Sequence, residues 1–370
     1  MSEIKVNSVK GVGASTAAIT INNSDGTCTA NVSNRPNRNL IINGSQEIVQ
    51  RYGSAEQNPI VNGQIVTDRF IFEQSQTSKL KAQQVADGPA GFDVSLKVTS
   101  LSSFTSAASD YFLVSQYLEG LNTQHLDFGS SDAKYVTLSF YVKSSLTGTF
   151  AVAIRNQAHN RTNVQTYTIN SANTWERKTV TFAGDTSGTW LKTNGIGLRV
   201  NFDLGTGSNF DAASLATWLG TNDLTHSSAT PLVGTNAATW QVTGVQLEIG
   251  QAATDFEHRT FAQELRLCQR YYVKYIQQGV SGYIESSSAN TAQLTHVVPV
   301  SMRANPSCTC TTATSIGVDR GGLYGINSTS GGLSWAYDNN LNVAWAMDTV
   351  RTRWHTTWCR VQNVQFNAEL

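Results

Sequence analysis

The sequence predicts an all-β chain: an N-terminal arm, a jelly-roll β-sandwich, a short helical joint and a smaller C-terminal β domain. Three observations predict it. Segments such as "KYVTLSFYVKS" and "IGLRVNFDL" alternate apolar and polar residues at the period of half-buried strands. Turns rich in Gly, Ser, Asn and Asp separate many of these segments. A single stretch, residues 253–272, carries a strong helical pattern.

Residues 1–38 read as an anchoring or oligomerisation arm. "AAITINNSDGTCTANV" alternates weakly around Asp25-Gly26, a hairpin turn signal, and "SNRPNRN" then breaks the pattern. A hairpin and a linker cannot bury a core alone, so the arm needs a neighbour or another copy of the chain.

Residues 39–258 hold the strand pattern of the sandwich. "DRFIFEQ", "FDVSLKVTS", "YFLVSQYLEG", "TFAVAIRN", "TNVQTYTI", "ERKTVTFAG" and "TWQVTGVQLEIG" join the two segments already quoted. Alternation assigns the faces. Val136, Leu138, Phe140 and Val142 point to the core, against Tyr135, Thr137, Ser139 and Tyr141. Leu198, Val200, Phe202 and Leu204 point in, while Arg199, Asn201 and Asp203 point out onto a solvated sheet face or a shallow polar platform.

Residues 259–272 form the helical joint. Thr260 and Gln263 have capping-box spacing, and Phe261, Leu265, Cys268 and Tyr272 form one apolar stripe suited to lie against the sandwich. Asp255, Glu257, His258 and Glu264 cluster here, but neither His-Glu-x-x-His nor its inverse occurs, so the stretch reads as structural. Residues 273–370 return to strands. Asp338-Asn339-Asn340 reads as a hairpin turn, and the last strand turns Val364, Phe366, Ala368 and Leu370 inward.

Composition narrows function. Lys plus Arg and Asp plus Glu are equal at 26, which argues against a partner held through phosphates and suits an assembly component. Charged residues are only 14% of the chain, as in many extracellular or particle-borne β proteins. No apolar run reaches the roughly 18 residues of a membrane span. "MSEIKVNSVK" lacks the apolar core of a secretory signal, so the expectation is synthesis and folding in a cytoplasm. The five cysteines are scattered, unlike a disulfide framework; Cys308, Cys310, Cys359 and Cys268 lack zinc-pair spacing and read as buried thiols.

The stretch "VTGVQLEIGQAATDFEHRTFAQELRLCQRYY", followed by "PVSMRANPS", resembles a junction in tail-fibre and other virion proteins of tailed bacteriophages. "NLIINGSQEIVQR" looks like the entry strand of the same carbohydrate-binding-like module, "YFLVSQYLEG" like a central strand, and "MSEIKVN" like openings among marine phage structural proteins. The resemblance spans most of 39–310. It implies a non-enzymatic, homotrimeric tail fibre in the virion, attached to other phage tail or virion proteins through residues 1–38 and contacting host surface glycan. The alternatives are a head decoration or tail-assembly accessory without glycan binding, or a polysaccharide depolymerase.

Sugar sites use aromatic faces with nearby amides and carboxylates. By residue type and facing, the glycan candidates are Gln116, Tyr117, Tyr135, Tyr141, Arg155, Trp175, Arg199 and Asp203. Trp190 and Trp218, near loops, fit core plugs or interface anchors. No cofactor is expected, save a structural calcium for which Glu47, Glu248 and Asp255 are the oxygen donors in the segments where first and last strands meet.

Overall fold

The computed structural model describes residues 6–9, 19–21, 28–30, 36–285, 291–309, 312–318, 322–324, 330–337, 340–346 and 356–370. In the arm, β1 (Ser8–Val9), β2 (Ile19–Ile21) and β3 (Cys28–Ala30) form a three-stranded antiparallel sheet. Asp25-Gly26 lies outside the described residues, between strands that pair as Ile21↔Cys28.

The sandwich follows as β4 (Phe70–Gln74), β5 (Leu80–Val85), β6 (Ser95–Ser100), β7 (Phe112–Glu119), the short helix α1 (Gly120–Thr123), β8 (Val136–Ser144), β9 (Gly148–Arg155), β10 (Thr162–Ile169), β11 (Glu176–Phe182), β12 (Ile196–Asp203), β13 (Trp218–Leu219) and β14 (Thr239–Ile249). Two antiparallel sheets result. One runs β13-β10-β9-β12-β7-β4 and the other β11-β8-β14-β6-β5. The alternating segments of the sequence are all strands here. β5 carries a weaker signal because its inward set is Leu80, Ala82 and the polar Gln84, which donates to Gln46 O.

Between the sheets lies one continuous core. Phe140 meets Tyr167 and Phe202 edge-on at 5.0 Å, and Trp240 donates its indole N–H to the Tyr167 hydroxyl at 3.2 Å. Trp190 and Trp218 prove to be plugs: they pack with Phe128 and with each other at one end of the sandwich, and each indole N–H finds an oxygen.

The entry segment 39–48 has no regular strand. It is pinned to β14 by Leu40 N–H to Leu247 O and Val245 N–H to Gly44 O, beside the bulge between Thr243 and Gln246. Contact is so close that a Cβ on Gly44 would sit 2.1 Å from Val245 O.

Helix α2 (Phe261–Gln269) begins with the expected capping box, Thr260 with Gln263. Its buried face differs from the apolar stripe. Phe261 is 59% exposed, whereas Glu264 is buried, accepting from the Asn43 backbone N–H and from Arg259 Nη1. Cys268 and Tyr271 pack on Ile42 and Ile48, with Leu265 and Leu370 at the edge. Burial pushes the Cys268 thiol well above its usual range.

The C-terminal part comprises β15 (Tyr272–Glu285), β16 (Thr291–Val297), β17 (Ser307–Thr309), β18 (Thr312–Val318), β19 (Gly322–Tyr324), β20 (Ser330–Tyr337), β21 (Asn340–Ala346) and β22 (Thr356–Asn367). They form one sheet, β15-β16-β21-β20-β17-β22-β18-β19, and β15 also pairs with β22, so the sheet closes on itself. Asp338 and Asn339 lie outside the described residues, between strands that pair as Tyr337↔Asn340. Val364, Phe366 and Ala368 are buried, as the last strand's alternation requires.

The sandwich and the C-terminal sheet meet through charged side chains. Arg270 makes a bidentate pair with Glu119 (2.9 and 2.6 Å), which also accepts from the Tyr271 hydroxyl. Arg69 lies 3.6 Å over the Tyr271 ring and Arg51 3.7 Å over Tyr272; both guanidiniums reach Glu369. Arg303 donates to the carbonyls of Ala368, Glu369 and Asn194. Arg69 holds φ +73°, a left-handed backbone unusual for a long side chain.

Candidate functional site

Strand order decides which outward side chains can meet. In the six-stranded sheet, register places Tyr117 opposite Arg199, and Arg199 opposite Arg155. One row on the outer face therefore reads Tyr117–Arg199–Arg155 across β7, β12 and β9. The next row carries Ile71, Ser115, Asn201 and Ala153.

Glu73, outward-facing in β4, organises these two rows. Its carboxylate accepts from Arg155 Nη2 at 2.9 Å and Asn201 Nδ2 at 3.0 Å, and lies 3.7 Å from Arg199 Nη1. Arg155 Nε donates to Asn201 Oδ1 at 3.0 Å, and Asn201 donates on to Ser115 Oγ at 2.6 Å. Neutral amides meet the remaining donors: Asn222 Oδ1 takes Arg155 Nη1 at 2.9 Å, and Gln157 Oε1 takes Arg199 Nη2 at 3.2 Å. The Arg199 guanidinium lies 4.1 Å over the Tyr117 ring, so that ring backs the arginine and does not offer an open stacking face.

Burial shapes the electrostatics. Arg155 is 2% exposed and Arg199 7%. Desolvation lowers the Arg155 pKa, with Glu73 opposing that shift. The Tyr117 phenol is pushed up by burial first and by the Glu73 carboxylate second. His159, in the loop after β9, is lowered to about 4 by burial and then by Arg155 and Arg199.

The outer face is drier than a solvated sheet face or a shallow polar platform would be. Arg199, Asn201 and Asp203 do point away from the core, yet all are buried. The β12–β14 connection folds back over the sheet, and Ala212 packs on Ala151, Ala153 and Val164. Asp203 serves that connection. Its carboxylate accepts from the backbone N–H of Gly205 and Thr206 and from Thr225 Oγ1, while burial raises its pKa.

Three of the eight glycan candidates thus converge: Tyr117, Arg155 and Arg199. The others are placed elsewhere. Gln116 donates to Ile42 O and accepts from Ile42 N–H, tying the entry segment to β7. Tyr141 and Trp175 belong to the other sheet's side, Tyr141 against Phe92 at 5.4 Å and Trp175 donating to Asp87 with Lys143 over its ring. Tyr135, just before β8, is exposed. Glu73, Asn201, Gln157, His159 and Asn222 complete the cluster without having been candidates. Only Glu73 and Asn201 carried a signal, as the outward positions of "FIFEQ" and "RVNF".

The calcium donors do not assemble. Glu248 is buried and its oxygens accept from Gln246 Nε2 and from Thr254 N–H and Oγ1, while Glu47 and Asp255 are exposed. Among the described residues no three His, Cys, Asp or Glu side chains gather as a metal site. Cys268 and Cys308 are buried thiols; the Cys310 and Cys359 side chains lie outside the described residues.

Two concavities lie elsewhere. A groove of about 660 Å³ runs beside α2, lined by Arg38, Phe256, His258, Gln263, Arg266 and Leu267. A cleft of about 380 Å³ separates the sandwich from the C-terminal sheet, lined by Arg51, Tyr52, Gln64, Ile71, Gln365 and Glu369.

No family model and no curated protein matches the sequence. Solved structures align with part of the chain at low identity. The enzymatically active domain of tailspike protein 4 from bacteriophage CBA120 is 14% identical, with TM-score 0.32, over 58% of this chain and 22% of that one. The family 11 carbohydrate-binding module of Clostridium thermocellum, solved with a β-1,3-1,4-mixed-linked tetrasaccharide, is 13% identical, with TM-score 0.28, over 55% of this chain and 98% of that one. TmCBM61, in complex with β-1,4-galactotriose, is 9% identical, with TM-score 0.29, over 58% of this chain and 99% of that one. At such identities and TM-scores these likenesses assign neither family nor function.

Proposed function

We propose that this chain is a non-enzymatic tail-fibre protein of a tailed-bacteriophage virion that contacts host surface glycan through the outer face of its six-stranded sheet. The observation that carries the reading is the preassembled Tyr117–Arg199–Arg155 row. Its guanidinium donors are held in place by Glu73 and Asn201 on a rigid sheet, and sugar hydroxyls and acid groups are acceptors for such donors. The tail-fibre part rests on the junction around α2 that resembles phage virion proteins.

Within this reading residues 1–38 attach the chain to other tail or virion proteins, and three copies associate. Weak sugar contacts then add through multivalency on one host surface. The sandwich over 39–258 presents the site, 259–272 joins it to the C-terminal β domain, and the particle is its location.

The test has two arms. Labelled antibody or tag density on purified particles places the chain; density at the tail fibre supports the reading, and density on the head overturns the fibre assignment. A glycan array probed with the full chain tests adhesion: no binding to any host polysaccharide leaves a structural accessory, and release of oligosaccharides from host envelope glycan makes it a depolymerase instead.

A further inference from the structure

We infer that the sheet-face site selects an acidic saccharide, one whose carboxylate or sulfate oxygens bind between Arg199 and Arg155; this rests on the glycan-binding reading above. The first ground is charge. Among the described residues Glu73 is the only carboxylate within 4 Å of either guanidinium, so two buried cations share one anion. Asp203 does not make up the difference. It lies four residues from Arg199 along β12, about 13 Å away at the rise of a strand, and its oxygens are taken by Gly205, Thr206 and Thr225.

The second ground is what the arginines hold instead of a second carboxylate. Gln157 Oε1 and Asn222 Oδ1 are neutral acceptors, at 3.2 and 2.9 Å. An anionic oxygen makes a hydrogen bond roughly twice as strong with a guanidinium as a neutral one does. Gln157 is exposed, so its amide can swing away and give Arg199 Nη2 to a ligand oxygen. Arg199 Nε is buried with no acceptor in the protein, as is His159 Nε2 at the same edge. A planar acid group suits the guanidinium fork, and Tyr117 holds that fork in place from behind. A neutral sugar hydroxyl would leave the excess positive charge unanswered.

The full chain should be titrated with polygalacturonate and carrageenan oligosaccharides, and in parallel with methyl-esterified polygalacturonate and desulfated carrageenan. These pairs keep the sugar and remove the charge, and they separate a carboxylate source from a sulfate source. The expected result is at least tenfold tighter binding of one or both acidic forms than of its neutral counterpart, weakening as salt rises. Arg199→Gln should abolish that difference. Binding of neutral and acidic forms with equal affinity overturns the acidic preference and leaves the glycan reading standing. An acidic preference that Arg199→Gln leaves unchanged overturns this site. No binding of either acidic form overturns the inference, and absence of binding to every saccharide on the array removes the glycan reading with it.

Discussion

The joint at α2 and the outer sheet face are built from the same pair of side chains, an arginine laid over a tyrosine, but their charges close differently. At the joint Arg51, Arg69 and Arg270 are met by Asp68, Glu369 and Glu119. On the sheet face Arg155 and Arg199 share Glu73 alone. Arg69 also leaves its Nε without an acceptor, yet its cation is answered directly by Glu369. A closed set of buried charges fixes one arrangement of two parts; an open set is built to receive something. Partners sharpen the contrast: backbone carbonyls and carboxylates at the joint, neutral amides beside an exposed loop at the face.

The largest effect should come from opening the closed set. Glu369→Gln removes the carboxylate charge that answers Arg69 and one contact of Arg51 in a buried place, and should cost about 3–5 kcal/mol in denaturant unfolding. A loss below 1 kcal/mol would show that the joint does not depend on charge closure. Glu73→Gln should cost less, about 2 kcal/mol, because Arg155 and Arg199 keep the neutral acceptors Asn201, Asn222 and Gln157. If the two variants cost the same, the contrast between closed and open sets is wrong.

Much of the fold was legible in the sequence, for a local reason. Period-two alternation put Leu198, Val200 and Phe202 inside and Arg199 and Asn201 outside, because facing is set by the strand itself. The capping box marked the start of α2 for the same reason. The helix's buried face was not legible: Phe261 is outside and Glu264 inside because the Asn43 backbone N–H, distant in sequence, joins the nearby Arg259 in supplying its carboxylate with donors. Nor was the convergence of Tyr117, Arg199 and Arg155. That requires β9, β12 and β7 to be neighbours, an order no local pattern contains. The dryness of the outer face follows from the β12–β14 connection, whose turn-rich composition hides where it folds.

Two smaller effects sharpen the comparison. Thr260→Ala removes the N-cap acceptor and should cost about 1 kcal/mol by the same unfolding assay, without touching either charge set. The histidines give a finer probe. His159 and His296 are both lowered from 6.5 to about 4, His296 by burial and His159 by burial plus Arg155 and Arg199. Their neutral forms stabilise the fold fully above about pH 6.5, and that contribution is lost as pH falls toward 4. Arg199→Gln should raise the His159 titration midpoint measured by NMR while leaving His296 in place. Equal movement of both would mean that the site's excess charge is not what depresses His159.

A crystal structure of the full chain with the oligosaccharide that the glycan array selects tests the sheet-face site most directly. The sugar is expected over the Tyr117–Arg199–Arg155 row, with a ligand oxygen on Arg199 in place of Gln157. A sugar held only in the groove beside α2, or in the cleft at Tyr52 and Gln365, would contradict it.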